Sequence, residues 1–136
     1  MPVVLDASTV LSWSFVDERD ANARASAKVV LAEGAVVPVI WYLEIQNALL
    51  TAERRKRLTA TEVVTILQQL AALPIEIEPI GPALTFGGEL DTARRMDLSV
   101  YDAAYLELGL RRGMKVMTRD ARLGAAAEKL RIRWDG

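Results

Sequence analysis

Short apolar segments alternate with longer segments of helical periodicity along the whole sequence, and this alternation restricts the chain to few architectures. The predicted strands cover residues 3–5, 35–37, 75–78 and 115–118, with a last edge strand over 132–134. The predicted helices cover residues 8–15, 21–33, 41–57, 59–73, 82–96, 99–112 and 121–130. Such alternation is typical of layered α/β folds with a mostly parallel sheet. Because no linker or repeat interrupts it, we predict a single domain over residues 1–136.

The composition limits the chemistry that this chain can perform. The sequence has no cysteine and no histidine, which excludes disulfides, thiolate or imidazole zinc sites and the commonest general base. Its formal net charge is −1, so a nucleic acid would have to be held by local basic clusters. No apolar run approaches the ~20 residues that cross a bilayer, and the N-terminus has no basic region of a signal peptide. We therefore expect a cytoplasmic protein without membrane contact.

Two acids, Asp6 and Asp120, each follow a predicted strand and precede a predicted helix. Asp is a favoured helix N-cap, so capping alone would account for either residue. In open α/β sheets, however, ligands bind beyond the carboxyl ends of the strands. If the two strands are neighbours, both carboxylates lie at the same edge of the sheet.

Glu44 lies beside the apolar stripe of a predicted amphipathic helix. The stripe is formed by Trp41, Ile45, Ala48, Leu49 and Ala52. A partly buried, unpaired carboxylate is costly, so a cation, a proton or several donors must compensate it. Asn47, at i+3, is the expected hydrogen-bond donor. A structural contact with Asn or Arg is the alternative to a functional role.

Asp102 also has a structural explanation, because Ser99 and Asp102 fit the spacing of a capping box. As a functional residue it would project from the first helical turn toward the strand ends. If the four acids converge, their like charges raise one another's pKa, and a divalent cation would relieve the repulsion. An all-oxygen set favours Mg²⁺ or Mn²⁺ over zinc and points to phosphoryl chemistry.

The segments around these acids resemble those of a known family. Residues 4–8 read VLDAS, 41–49 WYLEIQNAL, 98–105 LSVYDAAY and 118–123 TRDARL. They are similar, in the same order, to the Asp-x-Ser, Glu-x-x-Asn, Leu-Ser-x-Tyr-Asp-Ala and Thr-x-Asp-x-x-Leu motifs of PIN-domain ribonucleases. Within these the likeness is to the VapC-like toxins of prokaryotic type II toxin–antitoxin pairs. The matches extend over essentially the whole chain, and no acid of the set is missing.

The resemblance implies a three-layer PIN-like fold with helices on both faces of the sheet, and hydrolysis of RNA phosphodiesters by metal-activated water. It assigns catalytic and metal-binding roles, with one or two Mg²⁺ or Mn²⁺ ions, to Asp6, Glu44, Asp102 and Asp120. It assigns supporting polar roles to Ser8, Asn47 and Thr118. It also implies a homodimer and a cognate VapB-like antitoxin, whose Arg or Lys would suit the acidic pocket.

Basic and aromatic residues outside these motifs are candidates for RNA binding. The candidate phosphate contacts, at the rim of the site, are Arg54, Arg55 and Arg57. Favourable charge at a helix C-terminus is the structural alternative for them. The candidate base-stacking residues, which would equally suit the core or a dimer interface, are Trp13, Trp41 and Tyr105.

Other classes of protein also place acids at strand ends. A haloacid-dehalogenase-like phosphatase would need Asp-x-Asp after the first strand, but position 8 is Ser. A receiver domain would need an acid pair before the first helix and an Asp on the third strand, and neither is evident. A non-catalytic PIN-like interaction module would be favoured by a missing acid. A housekeeping RNA-processing nuclease would share every motif.

Overall fold

A parallel sheet forms the centre of the computed structural model, which describes residues 1–79 and 86–136. The strands of this part are β1 (Val3–Leu5), β2 (Ala35–Val37), β3 (Ile75–Ile77) and β4 (Val116–Met117). Their order is β3-β2-β1-β4, and every neighbouring pair is parallel. The residues of β1, β2 and β4 are all buried, as expected for short apolar strands covered on both faces.

Helices cover the sheet in two layers. They are α1 (Ala7–Ser14), α2 (Ala21–Glu33), α3 (Ile40–Arg54), α4 (Ala60–Ala71), α5 (Glu89–Met96), α6 (Val100–Arg112) and α7 (Ala121–Lys129). Helix α1 packs on α2 and α3, and α3 on α4, whereas α6 packs on α5 and α7. Across the sheet, β2 and β3 are added in turn on one side of β1, and the chain then crosses back to place β4 on the other side of β1. With right-handed crossovers, this reversal places α1–α4 and α5–α7 on opposite faces. The predicted three-layer α/β fold is confirmed.

Several element boundaries differ from the prediction. Helix α3 ends at Arg54, because Lys56 adopts a left-handed conformation (φ 60°) that the predicted helix over 41–57 does not allow. Helix α1 begins at Ala7, with its N-cap at Asp6, one residue before the predicted start at residue 8. Of the helix predicted over 82–96, residues 82–85 lie outside the described residues, and α5 begins only at Glu89. The predicted strand at 132–134 is reduced to a single parallel bridge between Val116 and Arg133.

Four elements have one end at the carboxyl edge of the sheet. Strands β1 and β4 are neighbours, and the Asp6 N–H donates to the Met117 carbonyl (3.0 Å), so the segments that follow both strands emerge side by side. Helix α3 starts just after β2 ends, and α6 runs back toward the start of β4. Both helices therefore begin at this edge. No helix within residues 1–79 and 86–136 has the length and apolarity needed to cross a membrane.

Candidate active site

Asp6 is a buried carboxylate that two hydroxyl groups hold in place. Its Oδ2 accepts hydrogen bonds from Ser8 Oγ (2.7 Å) and Thr118 Oγ1 (2.6 Å). Although Asp6 occupies the N-cap position of α1, its side chain makes no capping bond to the described helix. Capping therefore does not explain this acid. Its carboxylate is instead fixed between the end of β1 and the end of β4.

Thr118 connects Asp6 to the segment that carries Asp120. Its Oγ1 donates to Asp6 and accepts from the Asp120 N–H (3.0 Å). Ser8 Oγ accepts from the Arg119 N–H (3.0 Å) and lies 3.3 Å from Thr118 Oγ1. Asp120 Oδ1 accepts from the Leu123 N–H (2.9 Å). This acid therefore caps α7, which is the structural role that its position after a strand also predicted. Ser8 and Thr118 thus orient the Asp6 carboxylate, and Thr118 connects it by hydrogen bonds to the backbone of Asp120.

Glu44, near the start of α3, is bonded by a residue that the sequence analysis did not assign to it. Tyr105, a buried residue of α6, donates its hydroxyl to Glu44 Oε1. The expected donor, Asn47, is exposed, so the predicted Glu44–Asn47 bond is wrong. Tyr105 lies three residues after Asp102, on the same face of α6, and this spacing was the available signal.

The structure contradicts base stacking by two of the three aromatic candidates. Tyr105 is 0% exposed and Trp41 is 2% exposed, so neither ring can reach a base. Both belong to the hydrophobic core. Trp13 is partly buried, and its indole N–H donates to Ser26 Oγ (2.9 Å).

Asp102 completes the acid cluster from the first turn of α6. Its N–H donates to Ser99 Oγ (3.0 Å), which is the serine half of the predicted capping box. Burial raises the pKa of the Asp102 carboxyl, and the nearby charges of Asp120 and Asp6 raise it further. The helix start is therefore capped by Ser99, and the Asp102 carboxylate interacts with the other acids.

The electrostatics of the other acids show the same convergence. Burial raises the pKa of Asp6, against its hydroxyl hydrogen bonds, and Asp120 adds to the rise. Burial also raises the pKa of Glu44, against the Tyr105 hydrogen bond, and Asp6 and Asp102 add to it. Within the described chain, no Lys or Arg forms a salt bridge with any of the four acids, and residues 80–85 contain neither.

The donor set of this cluster suits a hard divalent cation, although a complete coordination shell is not preformed. In residues 1–79 and 86–136, no three acidic side chains are placed to hold one ion as they stand. Glu44 and Asp120 are occupied by Tyr105 and by the Leu123 N–H, and mutual repulsion opposes closer approach. Mg²⁺ needs only one or two carboxylates, because it retains several waters and binds substrate phosphate. The four acids thus fit such an ion chemically.

The basic run at the end of α3 is not brought to the acids. Arg54 lies ten residues beyond Glu44 on one helix, which at 1.5 Å per residue is about 15 Å. The Arg57 guanidinium lies 3.3 Å from Asp17 and 4.4 Å from the centre of the Phe15 ring. Arg57 is therefore engaged by residues that follow α1.

Arg119, which sequence reasoning also missed, anchors the segment between Thr118 and Asp120. Its guanidinium donates to Asp20 (2.9 Å) and Asn22 (3.1 Å) at the start of α2. The hydrogen bond from Arg119 holds the pKa of the Asp20 carboxyl well below its usual range. This contact joins two segments 99 residues apart, and no local sequence pattern predicts it.

A layered parallel α/β fold with carboxylates gathered at one sheet edge is compatible with a nuclease as well as with the other classes considered above, and comparison with known proteins gives the family. The PIN domain model matches residues 3–129, so the chain belongs to the PIN domain family. Members are generally nucleases and typically use divalent metal ions. The crystal structure of PAE2754 from Pyrobaculum aerophilum matches with a TM-score of 0.69 and 20% identity, over 96% of this chain and 86% of that chain. No curated protein matches significantly.

Proposed function

We propose that this PIN domain is a Mg²⁺- or Mn²⁺-dependent endoribonuclease that acts as the toxin of a type II toxin–antitoxin pair. The observation that carries the proposal is the convergence of Asp6, Glu44, Asp102 and Asp120, from four separate elements, without a neutralising cation from the described chain. Such an arrangement is costly for the fold alone. It is explained if a cation and a substrate phosphate bind there.

The residues of the chain have distinct tasks in this mechanism. The four acids would hold one or two divalent ions, which supply activation of water and charge stabilisation at the phosphate when bound. Ser8 and Thr118 fix the Asp6 carboxylate, and Tyr105 fixes that of Glu44. The sequence has no histidine or cysteine, so neither an imidazole base nor a thiolate nucleophile is available. We infer that water attacks the phosphorus in line, without a covalent enzyme intermediate.

Cleavage of RNA by the purified protein tests the enzymatic part of this proposal. Wild-type protein should cut single-stranded RNA with Mg²⁺ or Mn²⁺ and should stop when EDTA is added. Asp6→Asn should abolish cleavage and leave the circular dichroism spectrum unchanged. Asp91→Asn is the matched control, since Asp91 is exposed and its one salt bridge within residues 1–79 and 86–136 is with Arg95 on α5. If Asp6→Asn and wild type cut equally well, the site assignment is wrong, and if neither cuts, a non-catalytic PIN-like module is favoured.

The proposed antitoxin and homodimer are supported by exposed apolar side chains near the acid edge. Leu43 on α3 is 60% exposed, and Val100 and Tyr101 at the start of α6 are 46% and 62% exposed. Apolar groups of this size suit a protein interface. An Arg or Lys of the antitoxin would then pair with the acids and block the site.

Growth of cells that express the protein tests the toxin role separately. We expect growth arrest, relief of the arrest by a small protein encoded next to this one, and no arrest with Asp6→Asn. RNA cleavage in vitro without growth arrest would instead identify a housekeeping RNA-processing nuclease.

A further inference from the structure

A groove of about 430 Å³ lies beside β4 and adjoins the acid cluster. This volume is within the range of small-ligand sites, roughly 300–1,000 Å³. We call it the β4 groove, and its lining includes Thr9, Lys115, Thr118, Arg131, Arg133 and Trp134. Thr118 belongs to both regions, because its hydroxyl donates to Asp6 Oδ2 at 2.6 Å. Lys115 precedes β4 and Arg131 follows α7, so the groove extends from Thr118 at the acid edge toward the opposite edge of the sheet, and a chain of phosphates along it would have one end near the acids.

The charge of the β4 groove is opposite to that of the acid cluster. Lys115, Arg131 and Arg133 are exposed cations, against the acids Glu128 and Asp135. Arg133 pairs with Glu128 (3.2 Å), and the Lys115 ammonium donates to the Arg131 carbonyl (2.9 Å). That bond uses the backbone carbonyl of Arg131 and not its guanidinium. The groove thus has an excess of positive charge in a chain whose net charge is −1.

Thr9 adds a buried hydroxyl with incomplete hydrogen bonding beside the groove. This residue is 1% exposed and lines the groove, and its Oγ1 has no hydrogen-bond partner in the described part of the chain. A buried hydroxyl without a partner is uncommon and destabilising. It is explained when a bound polar group or an ordered water completes its hydrogen bonding.

We propose that the β4 groove binds the phosphodiester backbone of single-stranded RNA next to the scissile bond, with a base stacked on Trp134. This inference rests on the proposed ribonuclease function and assigns a substrate-binding subsite other than the α3 run of Arg54, Arg55 and Arg57. Cations that follow the backbone, together with an aromatic side chain, are the usual elements of single-strand binding. Trp134 is partly exposed, unlike the buried Trp41.

Salt-dependent RNA binding tests the proposal. The protein carries Asp6→Asn and contains no divalent ion, and the probe is a fluorescent single-stranded RNA of roughly 12 nucleotides. Lys115→Met keeps the aliphatic stem, and Arg131→Gly suits the left-handed backbone at that position (φ 62°), so both should fold. We expect the double variant to bind on the order of tenfold more weakly at low salt. The slope of log Kd against log salt should fall by about 0.7 for each phosphate that the variant no longer neutralises.

Two matched double variants remove the same number of charges elsewhere. Arg24→Gln with Lys28→Met acts on the exposed face of α2, and Arg54→Ala with Arg55→Ala acts on the α3 run. Both should leave the salt slope unchanged. An unchanged slope in the Lys115 and Arg131 variant would overturn the proposal, as would a decrease in affinity confined to the α3 variant. Such a result leaves the ribonuclease function intact if wild type still cuts RNA, whereas absence of cleavage by wild type refutes that function separately.

Tryptophan fluorescence tests the stacking part. RNA should quench the emission of the protein, and Trp134→Phe should remove the quenching while keeping affinity within about threefold, because phenylalanine still stacks. Equal quenching in wild type and Trp134→Phe would show that the base does not stack on Trp134.

Discussion

Two acidic regions of the same sheet differ in how their charge is balanced. At β3, Glu76 and Glu78 face arginines from the end of α6, with Arg112 bonded to both (2.9 Å each) and Arg111 to Glu78 (3.1 Å). At the ends of β1 and β4, the four acids have no such partner in the described chain. Acids that the fold neutralises itself are structural. Acids that it leaves to repel one another are open to compensation from outside, which is the role given to a divalent cation in the proposed function.

Helix α6 contributes to both regions, and its charge distribution follows the helix dipole. Asp102 lies in the first turn, where negative charge is favourable, and Arg111 and Arg112 lie in the last turn, where positive charge is favourable. The same helix therefore delivers an acid to one region and two cations to the other. Local helix electrostatics accounts for the placement of both, but within the described residues only the arginines form salt bridges.

The largest expected difference between the regions is in activity. Glu44→Gln should reduce RNA cleavage on the order of 10³-fold, because it removes a proposed metal ligand, and should leave stability equal or higher, because it removes a partly buried charge. Glu78→Gln should leave cleavage within about threefold but cost about 1 kcal/mol of stability, because two arginines lose a partner. Cleavage rates and urea denaturation measure both. Similar effects of Glu44→Gln and Glu78→Gln on cleavage and stability would contradict the distinction between functional and structural acids.

Metal binding should stabilise the protein through the unneutralised acids only. At an ion concentration about 100 times Kd, Mg²⁺ or Mn²⁺ should add about 2.7 kcal/mol to the free energy of unfolding. Differential scanning calorimetry should show a rise of several degrees in Tm for wild type and for Glu78→Gln. Asp6→Asn should show a much smaller rise. Equal shifts in all three proteins would mean that the ion binds elsewhere.

Tyr105→Phe should have a smaller effect, because it acts through the orientation of Glu44. Removing the hydroxyl that bonds Glu44 Oε1 should lower cleavage about 10- to 100-fold and raise the metal concentration needed for half activity. Tyr42→Phe makes the same chemical change on an exposed residue of α3 and should be neutral. A loss of activity in Tyr105→Phe without any change in metal dependence would contradict a positioning role.

Sequence patterns predicted what depends on local order along the chain. The first four apolar strands, the helix start at Ser99 and the PIN domain assignment are confirmed, because each follows from neighbouring residues. The Tyr105–Glu44 bond and the Arg119–Asp20 contact were missed, since they join residues 61 and 99 apart. The β4 groove was missed for the same reason. Metal binding and catalysis by the four acids remain predictions.

The smallest effect that separates the regions is the pH dependence of stability without metal. The pKa values of Asp6, Glu44 and Asp102 are raised in the folded protein, which therefore binds protons more tightly than the unfolded chain. Linkage then requires stability to fall as pH rises from the unfolded values near 4 through the folded pKa values. The metal-free protein should thus gain stability as the pH is lowered from 7 toward the unfolded pKa values near 4.

The opposite sign applies to Asp20, whose pKa is lowered by Arg119, so its contribution is present above pH 3.8 and is lost only in stronger acid. Stability measured by urea denaturation should therefore rise as the pH falls from 7 toward 4 and decline in stronger acid. Saturating Mg²⁺ should remove the rise, because a bound cation favours the ionised acids, and Glu44→Gln should reduce it. A metal-free protein that loses stability steadily as the pH falls from 7 to 4 would mean that Asp6, Glu44 and Asp102 are compensated within the fold, like Glu76 and Glu78.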